Sequence, residues 1–575
     1  MEELRTIAEG AWLYGAAPAT LLAGIFLTVR LGVPQVAWLG RAFRAVSSHD
    51  AGAPGELHPA AATMFAAAAS YGAAGAVGAG TAVALGGPGA IAWVWLFTLL
   101  LMPLRAASIA LARSAPPGRA GEAQGSLAGR LALDSAPLVR GIGWALVGLV
   151  PLVGLAFVGG VHGGALADVS AQLIDDGAAP VTAIVAGLGL VLAFLPPRRV
   201  AGFLGWVAVI AFLTIFAAGL IAFLSEAGRG FGAIGRAVVD AVEDAPSAAS
   251  FSGALAGEIA VAAMLYLLPP VVGSAGVASA PHAAAQAHTT RDQAAAGMLG
   301  PLLYGVLSTL LGLSFVATNA FAHPVEGSRR LDEVVFYATE FDTVSQRLEP
   351  DRRLPTAILR PMNGETGVVV VHAGTERGMI RSPSFRDRGE PANVAIRVVD
   401  GIANEVQRPG AMGALEAAPP SALREVTIEG ELLPRGARLV AASTARAAGD
   451  GLTKATLAAL LLLGALAVMA WGRGIRATLE GRVPPAAAAA GAALPAVGVC
   501  IAAFVDELDV LTPIGLILAA AVSILVALAA IVRAGEVRGL LVTAKSAAAP
   551  VATTKPAERP AARAKAKKTK HRKSA

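Results

Sequence analysis

A single cysteine, Cys500, among 575 residues rules out an internal disulfide and any zinc site built from cysteines. Eight histidines are scattered without an HExxH or CxxC pattern. Charge is also scarce. Asp, Glu, Lys and Arg make up 15% of the chain, against roughly 25% in a typical soluble domain. In their place stand apolar residues, 55% of the total, with a mean hydropathy of +0.63. Length alone suggests roughly four soluble domains, but the long hydrophobic runs overrule that. The composition is that of a multi-spanning membrane protein. It excludes a cytosolic enzyme, a secreted domain and a chain dominated by disorder.

The formal net charge of +6 misleads as an average. Residues 545–575 hold ten Lys/Arg and one acid, Glu558, so this tail carries +9 and the remainder −3. An Ala/Pro/Lys tail has almost nothing to bury and is expected to be disordered. Its plain role is a solvated end that fixes topology. Its sharper role is contact with anionic lipid head groups. Nothing in it specifies a nucleic-acid partner.

A bilayer core needs about 20 apolar residues per helix. Eleven segments qualify: 12–31, 59–85, 88–112, 141–163, 178–195, 200–224, 251–277, 294–322, 454–472, 484–505 and 512–532. The first is no cleaved signal peptide, because it follows Glu2 and Glu3 and is too long for an h-region. Basic loops carry Arg41 and Arg44; Arg113, Arg119, Arg130 and Arg140; Arg198 and Arg199; and Arg473, Arg476 and Arg482. Loops between them are neutral or acidic: Gly86 to Gly89; Asp168, Asp175 and Asp176; and Asp506, Glu507 and Asp509. The Lys/Arg bias then places the N-terminus outside and the basic tail in the cytoplasm; the expected location is the cell (inner) membrane.

Four parts follow: helices in 1–322, a soluble block at 323–452, helices in 453–544, and the tail 545–575. The soluble block has short β-type runs at Gly367 to His372, Val394 to Val399, Glu425 to Leu432 and Ala437 to Ala442. It is expected to be a small β-rich extracytoplasmic insertion. His323 and His372 stand alone in it, with no nucleophile–base pair.

Two spans are not ordinary hydrophobic helices. The second runs SYGAAGAVGAGTAVALGG, with Gly72, Gly75, Gly78 and Gly80; the seventh contains LLPPVVGSAG, with Pro269, Pro270, Gly273 and Gly276. Proline in a helix interior removes a donor and clashes with the preceding turn. Freed backbone at membrane depth is tolerated only against protein or a water-filled cavity. The two spans lie five apart. Interrupted helices at matching places in two repeats point to a midplane binding site, whereas close packing through small residues is the plain alternative.

The stretch TAVALGGPGAIAWVW, Thr81 to Trp95, resembles the signature of the alanine/glycine:cation symporter family, in which a GTGN segment leads into ALGGPGA and a Trp-x-Trp. AGVASAPHAAAQAHTTRDQA, Ala275 to Ala294, is similar to that family's SNEAGLGSAP segment, and LAVMAWGRGI near Trp471 to its C-terminal part. The resemblance implies an all-α polytopic fold of about eleven transmembrane helices, a leucine-transporter-like 5+5 inverted repeat with one extra N-terminal helix. It implies a non-enzyme that takes up alanine or glycine along a sodium or proton gradient, with no cofactor beyond that coupling ion.

Substrate would sit at Gly72, Ala73, Ala74, Gly75, Gly273, Ser274, Ala275 and Gly276. The ion-coupling candidates are Glu258 and Gly78; a carboxylate within a span is costly and is a functional candidate by default. This chain departs from the family's pattern at several places. GTGN is replaced by Gly72-Ala73-Ala74-Gly75, and SNEAG by Val272-Gly273-Ser274-Ala275-Gly276. A Gln-x-Asn pair becomes Ala165 and Ala167, and a Ser-Thr pair becomes Leu466-Ala467. Sodium is a hard cation that wants oxygen ligands, as calcium and magnesium do, and the last change removes two hydroxyls. The alternative function is a transport-silent relative that serves as a membrane sensor or scaffold.

Overall fold

The computed structural model describes residues 2–48, 55–114, 125–174, 178–243, 258–287, 289–342, 347–361, 364, 369–372, 379–409, 415–505 and 510–543. The basic tail lies outside these residues, as do Arg119, Asp175, Asp176, Asp506, Glu507 and Asp509. The apolar helices in chain order are α1 (Glu3–Leu31), α2 (Pro59–Tyr71), α3 (Ala74–Gly86), α4 (Ala90–Arg113), α5 (Pro137–Ala171), α6 (Ala178–Phe194), α7 (Arg199–Ser225), α8 (Ala260–Gly276), α9 (Thr290–Ala317), α10 (Gly436–Leu479), α11 (Pro485–Phe504) and α12 (Leu511–Val532).

Among the described residues, eight of these helices are long and apolar enough to cross a bilayer alone. The pair α2 and α3 passes the same test only together, bent by 42°, and α6 and α8 are shorter. By length and composition the count is thus eight or nine where the sequence suggested eleven. Every one of the eleven expected segments nevertheless carries one of these helices or the bent pair. The difference arises because the described part of α6 has 17 residues and that of the seventh segment begins only at Glu258.

Local chemistry starts and stops the helices. Prolines open several of them, where a missing N–H costs nothing: Pro59, Pro137 and Pro485. The His58 ring accepts a hydrogen bond from the Ala60 N–H at 3.2 Å and caps α2. Close helix approach is then set by small residues. Gly498 of α11 lies against the Leu155 carbonyl and Gly159 of α5, so any side chain there would meet backbone.

At the end of α12, Arg533 pairs with Asp134, and Arg130 pairs with Asp134 at 3.2 Å and Glu536 at 2.9 Å. Burial would raise the Asp134 carboxyl, but the Ala136 N–H, Arg533 and Arg130 outweigh it and hold the group below its ordinary value. Its contribution is therefore present above the unfolded pKa of about 3.9 and lost as pH falls through the lower folded value. Asp134→Ala removes the anion that Arg130 and Arg533 share and leaves both with Glu536 alone. It is expected to cost about 2 kcal/mol through the lost charge-assisted hydrogen bonds, read as a lowered unfolding midpoint in detergent near neutral pH.

The insertion between α9 and α10 is β-rich. Strand Val325–Arg330 pairs antiparallel with Val426–Leu432, which pairs with Met379–Asp387 in a seven-stranded sheet. A four-stranded sheet holds Ala395–Val399 and Ile402–Pro409. Phe336 and Phe385, both from the seven-stranded sheet, stack in the core of the insertion, rings 6.4 Å apart. Arg408 joins the two sheets through Asp387 at 2.6 Å and Glu425 at 2.7 Å. The runs at 394–399 and 425–432 are strands as expected; of 367–372 the described part, Val369–His372, is one.

The fourth run is not. Ala437 to Ala442 lies in α10, a 44-residue helix with a kink at Gly449 (φ 77°). The block's expected end at 452 therefore moves back to 435. The reason lies in tertiary contact. Ala437, Leu439 and Val440 are buried, and Asp168 accepts a hydrogen bond from the Ala437 N–H at 2.8 Å, satisfying a free donor of the helix start. Asp168 is correspondingly a helical residue that caps α10, not the loop charge expected of it.

Candidate functional site

The break between α2 and α3 is a matter of backbone. The Gly72 N–H makes the last bond of α2, to Ala68 at 2.9 Å, and the next helical bond runs from Val77 to Ala73. Gly72 itself has φ 46° and ψ −144°, a combination that side-chain-bearing residues avoid. The first N–H groups of α3 have no partner within the helix.

Helix α8 is interrupted at Leu267, just before Pro269 and Pro270, and ends in a tight turn at Ser274–Gly276. Each proline withholds an N–H from the turn before it. The Tyr304 hydroxyl of α9 donates to the Leu267 carbonyl at 2.6 Å and ties the start of this irregular stretch to its neighbour.

Helix α5 fills the space between the breaks. Its Val158–Gly163 stretch is π-helical, a distortion that redirects side chains and recurs at functional sites. His162 is carried on it, 1% exposed. Its Nδ1 lies 2.7 Å from where a Cβ on Gly72 would stand, and the Cβ of Ala467 from α10 lies 3.2 Å from the same point. Among the described residues neither ring nitrogen has a hydrogen-bond partner. His162 meets Phe157 edge to face, centroids 5.8 Å apart, and Phe157 leans on Trp471 at 6.1 Å. The Trp471 indole N–H donates to the Ala69 carbonyl at 3.1 Å, at the end of α2. Across the gap, a Cβ on Gly273 would lie 3.0 Å from the Phe157 ring. Gly72 and Gly273, one from each break, therefore face one shared wall.

A second polar cluster sits beside it. The Ser70 and Ser274 hydroxyls are 2.7 Å apart, linking the two broken spans directly. The Arg105 Nη2 of α4 donates to both, at 3.3 Å each, and to the Val271 carbonyl at 3.1 Å. A cavity of about 10 Å³ adjoins Arg105, Ser108 and Val271, room for a single water.

The expected substrate residues Gly72, Ala73, Ala74, Gly75, Gly273, Ser274, Ala275 and Gly276 are all buried at the two breaks. The ion-coupling candidates do not join them. Gly78 packs against the Tyr266 carbonyl of α8, a close helix contact. Glu258 is the first described residue of its helix, at the far end from the turn. Sequence reasoning missed His162, Arg105 and Ser70. A readable signal existed for two of them, since Arg105 and His162 are ionisable residues inside hydrophobic runs.

The sequence model of the sodium:alanine symporter family matches residues 2–319. An uncharacterized transporter of Haemophilus influenzae is 34% identical over 104 residues, 18% of this chain; the chain spans about a quarter (23%) of that relative's length. The crystal structure of a manganese transporter of Eremococcus coleocola, bound to an aromatic bis-isothiourea substituted compound, superposes with a TM-score of 0.42 at 13% identity, over 82% of this chain and 76% of that one. With its broken helices, its ALGGPGA motif and a family match over more than half its length, this multi-pass membrane protein belongs to the sodium:alanine symporter family.

Proposed function

We propose that this chain is a secondary active transporter of a small neutral amino acid such as alanine or glycine, driven across the inner membrane by a sodium or proton gradient. One observation carries the reading: the two helix breaks face each other across His162, Phe157 and Ala467, with unpartnered imidazole nitrogens between them. A zwitterion suits such a place. The free N–H groups at the start of α3 favour a carboxylate, while His162 and the Ser70–Ser274 hydroxyls offer further hydrogen bonds. The closeness of Gly72 to His162 and of Gly273 to Phe157 restricts cargo to the smallest side chains.

In this reading α2 with α3, α6 and α8 complete eleven spans, with the N-terminus outside, the tail on the cytoplasmic side against anionic lipid, and a five-helix repeat beginning at α2. The test is counterflow of labelled alanine and glycine in proteoliposomes. Exchange that unlabelled alanine drives and leucine does not is the expected result. A folded protein that binds alanine without exchanging it would instead be a sensor or scaffold.

A further inference from the structure

Arg105 is 5% exposed, and its partners are three neutral oxygens. Among the described residues no carboxylate pairs with it, and its Nη1 has no partner. A guanidinium does not lose its proton in a protein. A full positive charge therefore lies inside the helix bundle, balanced by dipoles alone, an arrangement costly enough to need a reason.

Its position supplies one. Ser70 lies in the last turn of α2, where the helix dipole is negative. Val271 and Ser274 flank the end of the helical part of α8. Half-helix C-terminal ends and freed carbonyls are the groups that hold a coupling cation in transporters built on broken helices. Here Nη2 lies 3.1–3.3 Å from one carbonyl and two hydroxyls drawn from both broken spans. The oxygen cluster that would attract a cation already holds one, on a tether.

We propose that the Arg105 guanidinium is a resident cation at the junction of the two broken spans, so that transport by this chain does not require sodium. Leu466 and Ala467 on α10 carry no hydroxyl that could serve as a further cation ligand. Arg105 cannot leave with the cargo, so any driving ion is held elsewhere.

The inference rests on the transport reading for its uptake arm only. The binding arm compares thermal unfolding of the full chain in sodium chloride and in equimolar choline chloride, without substrate. Wild type and Arg105→Lys, which keeps the charge, are expected to unfold at the same midpoint in both salts, and Arg105→Ala at a higher midpoint in sodium. In proteoliposomes, wild-type alanine uptake is expected to be equal in the two salts. Arg105→Ala is expected to fall roughly tenfold in choline, from the lost charged hydrogen bonds, and to recover in part with sodium. Sodium-specific stabilisation of the wild type, or uptake that collapses in choline, overturns the proposal, as does an Arg105→Ala chain indifferent to sodium in both assays. If Arg105→Ala does not fold, the wild-type and lysine arms still decide. Absence of uptake in every salt sinks the transport reading and leaves the unfolding comparison to judge Arg105.

Discussion

Gly72→Ala is expected to reduce alanine uptake by about 100-fold or more while the chain still inserts and folds. Two costs add at this residue. The φ of 46° with ψ −144° is a conformation in which a Cβ is strained, by about 1–3 kcal/mol. The added methyl would also stand 2.7 Å from His162 Nδ1 and 3.2 Å from the Ala467 Cβ, with helix on both sides. Relief requires the His162 ring to turn away or the 42° bend to open, and either change removes the shape of the site. About 3 kcal/mol corresponds to roughly a hundredfold in an equilibrium. Gly148→Ala is the control. It lies in the same bundle with nothing within 4 Å of its would-be Cβ, so it is expected to leave uptake unchanged and to stabilise α5 by about 0.5–1 kcal/mol. If Gly72→Ala transports as well as Gly148→Ala, the break at Gly72 is not where cargo is held.

The membrane part was legible because hydropathy over about 20 residues is a one-dimensional property. Glycine clusters and paired prolines report on backbone, which is why Gly72 and Pro269–Pro270 marked the breaks. Other features depend on residues distant in the chain. The run Ala437 to Ala442 has strand-like composition, yet it is helical because Asp168 caps it from α5 and its apolar face is buried. Gly78 looked like part of a site and is a packing contact with Tyr266. Comparison with the family's pattern fixed attention on the polar groups that are missing, and so passed over Arg105 and His162, polar groups present on other helices. Only three-dimensional proximity connects Arg105 of α4 with Ser70 and Ser274, since they are 35 and 169 residues away in sequence.

His162→Leu should separate function from stability. A buried polar atom without a partner costs about 1–3 kcal/mol, and among the described residues both nitrogens of His162 are in that condition. Leucine removes the unmet polar demand and keeps much of the volume against Phe157. The variant is therefore expected to unfold at a higher midpoint than the wild type, by about 1–2 kcal/mol, and to lose alanine exchange by roughly a hundredfold. Opposite signs in the two measurements mark a group retained for its ligand rather than for the fold. His162→Gln, which keeps hydrogen-bonding atoms, should recover part of the exchange without the gain in stability. His162→Ala opens room between Gly72 and Phe157 and is expected to admit side chains larger than alanine. Should His162→Leu instead unfold more easily and still exchange alanine, the imidazole is a packing group. The chemistry of the site then rests on the two hydroxyls and the bare peptide groups of the breaks.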